Sequence, residues 1–170
     1  MSNYRSIKSL PAAELIAKRN GLLRPTYELT DGQYSYGMLQ REGAFRPRVI
    51  IETSENSWLL TGNGWRSSDV SISDGESIAT TSTSFWSQKV TFTANDGFTA
   101  TFVKPSLWKS LSVWEASDGS EILRITSHAF KMPVITFSPQ AKQNRWLLLL
   151  AFLALEIQLK RQQHAVAAAT

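Results

Sequence analysis

A chain of 170 residues that is 42% hydrophobic can bury one well-formed core and leaves no room for two large ones. It has no cysteine, which excludes disulfide staples, thiolate metal sites and a cysteine nucleophile. The formal net charge of +4 is unevenly spread, with eight Lys/Arg against four Asp/Glu in residues 1 to 48, four against nine in 49 to 123, and six against one in 124 to 170, a bias that suits phosphates or anionic lipid.

The N-terminal stretch MSNYRSIKSLPAAELIAKR lacks the continuous apolar run of a secretory signal, so cytoplasmic residence is expected. Pro11 to Arg19 consists of good helix formers closed by Asn20-Gly21. This predicts a short helix within a flap over residues 1–24, docked on the outside of a sheet through Leu10, Leu15 and Ile16.

From Arg24 the apolar period changes to two. Tyr27 and Leu29 alternate with polar neighbours before Asp31-Gly32, and the return strand runs from Tyr34 to Arg41. Asp-Gly recurs at 74-75, 96-97 and 118-119, each pair suited to a tight turn because glycine accepts positive φ at little cost. Further strands are predicted at Arg48 to Thr53, Ser57 to Leu60, Val70 to Ser73, Gln88 to Thr93, Leu111 to Glu115, Glu121 to Thr126 and Val134 to Ser138. Ser77 to Ser84 is polar enough to be an extended loop or an edge strand. About twelve antiparallel strands with short turns favour a barrel or sandwich, and closure removes exposed edges.

The chain then changes character. Trp146 to Leu159 reads WLLLLAFLALEIQL, interrupted only by Glu156 and Gln158. Ser138-Pro139 is a helix-start signal, and Lys160 and Arg161 suit the negative end of the helix dipole, so a helix is expected over about 139–162 with a tail at 163–170. A helix apolar on every side must be buried. Fourteen residues rise only about 21 Å, short of the roughly 20 apolar residues that a bilayer requires. The expectation is a core helix enclosed by the barrel, with Trp146, Leu149, Leu150, Phe152, Leu153 and Ile157 in the core; a tail anchor is the alternative.

Few residues point to chemistry. His128 and His164 are isolated, the Asp-Gly carboxylates are explained by their turns, and neither a phosphate-binding glycine run nor a D-x-D-x-D-G calcium loop occurs. No catalytic residue, cofactor, metal ligand or nucleic-acid partner is therefore expected. Trp58, Trp86 and Trp114 fall in strands and read as core, whereas Trp65-Arg66 and Trp108-Lys109 pair an aromatic ring with a cation in a way that would suit a lipid headgroup.

Strand pairs joined by Asp-Gly turns and closed by the run RWLLLLAFLALEI resemble the tubby C-terminal-like superfamily, in particular its short LURP-one-related and scramblase-like members. The resemblance implies a twelve-stranded antiparallel barrel around a hydrophobic C-terminal helix for residues 25–162. It carries over no site residue, because the family's phosphoinositide-binding positions do not align here.

Charge and resemblance together give the expected function: a noncatalytic binding or scaffold module, cytoplasmic and peripheral to a membrane, engaging anionic phospholipid through Arg41, Arg46, Arg48, Lys131, Lys142 and Arg145. Arg46 and Arg48 share strand parity, and Lys142 and Arg145 are three apart at the helix start. The alternatives are a carrier with an apolar ligand in the barrel and a tail-anchored protein.

Overall fold

The computed structural model describes residues 3–11, 13–43, 48–62, 67–72, 74–84, 88–106, 109–128 and 131–169. Twelve strands follow one another as β1 (Glu14–Asn20), β2 (Thr26–Thr30), β3 (Ser35–Glu42), β4 (Arg48–Thr53), β5 (Ser57–Gly62) and β6 (Ser67–Ile72), then β7 (Ser77–Thr83), β8 (Val90–Ala94), β9 (Thr99–Val103), β10 (Leu111–Ala116), β11 (Glu121–Thr126) and β12 (Val134–Phe137). Each pairs antiparallel with its sequence neighbours, and β1 pairs with β12, so the sheet closes into an up-and-down barrel. Helix α1 (Leu147–Ala168) completes the chain.

The barrel and its helix fit by simple dimensions. Strands alternate their side chains across the wall, sending Leu15, Leu29, Leu39, Ile51, Phe92 and Ile135 inward, all fully buried. Barrel width grows with strand number, and twelve strands enclose more space than their own side chains fill. The helix occupies that space. Trp146, Leu149, Leu150, Phe152 and Leu153 are buried, whereas Ile157, near the last buried turn, is half-buried. Contact is close at Gly37 on β3, where a Cβ would lie 2.9 Å from a Phe152 ring carbon and 2.6 Å from the Glu52 carbonyl oxygen.

Three local expectations are corrected. The predicted N-terminal helix is instead a 3-10 turn at Ile7–Ser9 followed by β1, so residues 1–24 are not a separate flap. Leu15 and Ala17 point into the barrel while Glu14, Ile16 and Lys18 are exposed. Helix propensity is overridden because β1 supplies hydrogen bonds to both β2 and β12, which would otherwise be open edges. Ser77 to Ser84 contributes β7, paired on both sides and therefore not an edge.

The third correction concerns the helix ends. Ser138 and Pro139 open a 3-10 helix, Pro139–Gln143, and α1 begins only at Leu147. The chain must first cross from the wall to the barrel axis, a turn held by the Trp146 N–H donating to Asn144 Oδ1 at 2.9 Å. At the other end α1 continues through the expected tail to Ala168, as its alanines favour.

Candidate functional site

In an up-and-down barrel alternate connections lie at opposite ends. The turns β2–β3, β4–β5, β6–β7, β8–β9 and β10–β11, together with the crossing from β12 to α1, share one end, here the turn end. The connections β1–β2, β3–β4, β5–β6, β7–β8, β9–β10 and β11–β12 share the other. Helix α1 starts at the first and leaves through the second, here the exit end. Its position is fixed by Trp146 near Asp96 at the start and by Glu156 bound to Arg41, near the far end of β3, further on.

The turn end is acidic, and the carboxylates of its four Asp-Gly turns are occupied. Asp31 accepts from the Gln33 and Tyr34 N–H groups at 2.9 and 2.8 Å and from the buried Tyr36 hydroxyl at 2.7 Å. The Tyr34 N–H, with the Tyr36 hydroxyl next, holds the Asp31 carboxyl below its ordinary value. Burial and then the Asp31 hydrogen bond push the Tyr36 phenol up to about 12. Asp74 accepts from the Glu76 N–H, and Asp118 from the Ser120 hydroxyl and N–H, of which the hydroxyl does most to lower its pKa. These bonds explain the aspartates as turn residues.

Asp96 does more. Its Oδ1 accepts from the Phe98 N–H, while Oδ2 accepts from Trp146 Nε1 at 3.2 Å and lies 3.7 Å from Arg145 Nη1. The Arg145 guanidinium also lies over the Trp146 ring at 4.6 Å, and Phe92 meets the same tryptophan edge to face. Asp96 thus fixes the first turn of the helix. A hollow of about 20 Å³ bounded by Thr53, Trp58, Arg145 and Leu148 lies nearby, room for about one water.

The exit end is basic. In the sequence none of its six connecting segments contains Asp or Glu. Among the described residues Arg24, Lys89, Lys104, Lys109 and Lys131 lie in these connections and are exposed. Arg48 is exposed at the rim, opposite Glu42 across β3 and β4. Lys160 and Arg161 continue this charge along α1 as it leaves the barrel, with nine helical residues, about 14 Å, beyond the buried Leu159.

Three cations at this end, Arg41, Lys160 and Arg161, are tied inward. Arg41, its side chain 21% exposed, meets Glu156 Oε2 at 2.8 Å through Nη2 and 2.9 Å through Nε, while Lys160 Nζ lies 3.3 Å from Oε1. A carboxylate buried this deeply needs such partners. Arg161 donates to the Gln88 carbonyl at 2.9 Å and lies over the Phe102 ring, and burial lowers its guanidinium pKa.

The structure therefore divides the six cations expected to act together. Arg41, Arg48 and Lys131 are at the exit end, Lys142 and Arg145 are at the turn end, and Arg46 lies outside the described residues. Arg41 is mainly a partner of Glu156, with part of its side chain left at the surface. Arg145 lies 3.7 Å from Asp96 and stays largely exposed. Sequence reading missed Arg24, Lys89, Lys104, Lys109, Lys160 and Arg161 as members of one surface. The available signal was connection parity, because every second loop of such a barrel meets at the same end.

Of the tryptophans assigned to strands, Trp58 and Trp114 are buried. Trp86, Trp65 and Trp108 lie outside the described residues. His128 and His164 are exposed, and among the described residues no three His, Cys, Asp or Glu side chains cluster in a way that could hold a metal. No described helix is long and apolar enough to cross a membrane. No family model, curated protein or solved structure matches the chain.

Proposed function

We propose that this protein is a noncatalytic module that docks on anionic phospholipid surfaces, with the exit end of the barrel facing the lipid. The observation that carries the reading is the sorting of charge by barrel end. Exposed lysines and arginines populate the exit-end connections, while the hairpin turns opposite carry Asp31, Glu55, Asp74, Glu76, Asp96 and Asp118. A cation near an anionic leaflet contributes about 1 kcal/mol, and several held on one rigid rim act together.

The tubby-like assignment belongs to the same proposal. Twelve strands closed around an apolar C-terminal helix support it as architecture. Architecture alone assigns no function. The proposal includes cytoplasmic residence with peripheral membrane association. A carrier is less well supported, because an apolar ligand would need the space that α1 fills with Leu149, Leu150 and Phe152.

Vesicle co-sedimentation tests the reading. Vesicles containing about 30% phosphatidylserine should retain the protein at low salt, release it progressively as salt rises, and retain more of it than phosphatidylcholine vesicles. Equal retention on both lipids would reject it.

A further inference from the structure

The β1–β2 connection presents two adjacent leucines to solvent, Leu22 at 91% and Leu23 at 98% exposure. A single exposed leucine is ordinary. Two in succession at a loop tip, each more exposed than any other large apolar side chain described, leave apolar surface that nothing in the barrel covers.

Their setting supplies the second observation. The loop joins strand ends at the exit end and is bracketed by exposed Arg19 and Arg24. Around the rim it sits between the connection carrying Lys131 and the β3–β4 strand ends carrying Arg48, because β1 pairs with β12 and β2 with β3. Gly21 takes φ +79° to turn the chain, and a Cβ there would come 3.2 Å from the Arg24 carbonyl oxygen. Pro25 restricts the other side of the loop. The leucines are held on a short, constrained tip. The same order of bulky apolar residue then cation recurs in the sequence at Phe45-Arg46, Trp65-Arg66 and Trp108-Lys109, of which only the exposed Lys109 is among the described residues.

We propose that Leu22 and Leu23 form a wedge that enters the acyl region of an anionic phospholipid bilayer while the surrounding cations engage its headgroups, so that the barrel stands end-on to the membrane. The arginines on each side match an anionic headgroup layer, and the leucines between them match the hydrocarbon beneath it. This rests on the lipid-docking reading and adds to it an orientation and an apolar contribution that salt does not screen.

The test uses the full chain and vesicles of phosphatidylcholine with about 30% phosphatidylserine. L22S/L23S should fold as the parent does, since neither leucine is packed, yet bind these vesicles about ten- to a hundredfold more weakly, with the remaining binding still salt-sensitive. The chain lacks cysteine, so L23C can carry an environment-sensitive fluorophore, expected to shift blue on these vesicles and to be quenched by lipids labelled high in the acyl chain.

Unchanged affinity in L22S/L23S, or a fluorophore that stays water-exposed while the protein binds in a salt-dependent way, overturns the wedge and leaves electrostatic docking standing. No preference of the parent protein for anionic vesicles overturns both. Loss of binding to an isolated protein partner, without any effect on vesicles, would reassign the leucines to a protein interface and also overturn the proposal.

Discussion

The two ends of this barrel are built from the same strands and differ in how their charges are used. At the turn end the four Asp-Gly carboxylates are bound: Asp31, Asp74 and Asp118 hold their own turns, and Asp96 holds Trp146. At the exit end one carboxylate, Glu156, is buried, and Arg41 and Lys160 meet it, while Arg24, Lys89, Lys104, Lys109 and Lys131 are exposed. A charge that closes a turn or compensates a buried partner explains its own presence through stability. A rim of exposed cations does not, and function is the better place to seek its cause.

That contrast can be broken most forcefully along the helix, which links both ends. Truncating Phe152 to alanine should leave a cavity beside Gly37 and cost about 3–5 kcal/mol in chemical denaturation, with the midpoint falling and the slope unchanged. At the exit end, Arg41→Ala removes the closest partner of Glu156 and should cost about 3 kcal/mol, whereas replacing Arg41 and Glu156 together by methionines should recover most of the loss. At the turn end, Trp146→Phe keeps the ring packing but loses the bond to Asp96, for a smaller loss of about 1 kcal/mol measured the same way.

A pH series sharpens the comparison further. The folded Tyr36 pKa of about 12 lies above the ordinary tyrosine value, so the folded state keeps a proton that the unfolded chain has released. The stability gained from this is intact below about pH 10 and is lost as pH rises towards 12. Denaturation midpoints followed across that window should fall less steeply in Tyr36→Phe. Equal slopes would mean that the phenol is not held neutral by its site.

The fold was partly legible because its signals are local. Asp31-Gly32, Asp74-Gly75, Asp96-Gly97 and Asp118-Gly119 mark turns wherever they occur, and an apolar run from Trp146 to Leu155 requires cover of some kind. β1 was hidden because PAAELIAKR favours a helix locally, and its strand state depends on β12, more than a hundred residues away. Ser138-Pro139 correctly marked a helical start but not the 3-10 turn that carries the chain to the barrel axis before α1 begins.

The candidate site was less legible. Counting charge by segment placed Lys142 and Arg145 with Lys131, because all three lie in one basic stretch of chain. The barrel separates them by its full height. Leu22 and Leu23 resemble any linker residues until their exposure and the company of Arg19, Arg24 and Lys131 are known.

The most direct test of the account compares two charge reversals of equal size. Lys104→Glu with Lys131→Glu alters the exit end, and Lys8→Glu with Lys142→Glu alters exposed positions at the turn end. Each pair lowers the net charge from +4 by four, to zero, so only location differs. On phosphatidylserine vesicles the exit-end pair should weaken binding by more than about thirtyfold, the loss from removing two cations alone, and the turn-end pair should bind much as the parent does. Equal losses in both would show that net charge alone drives the association and would contradict a docking face at the exit end.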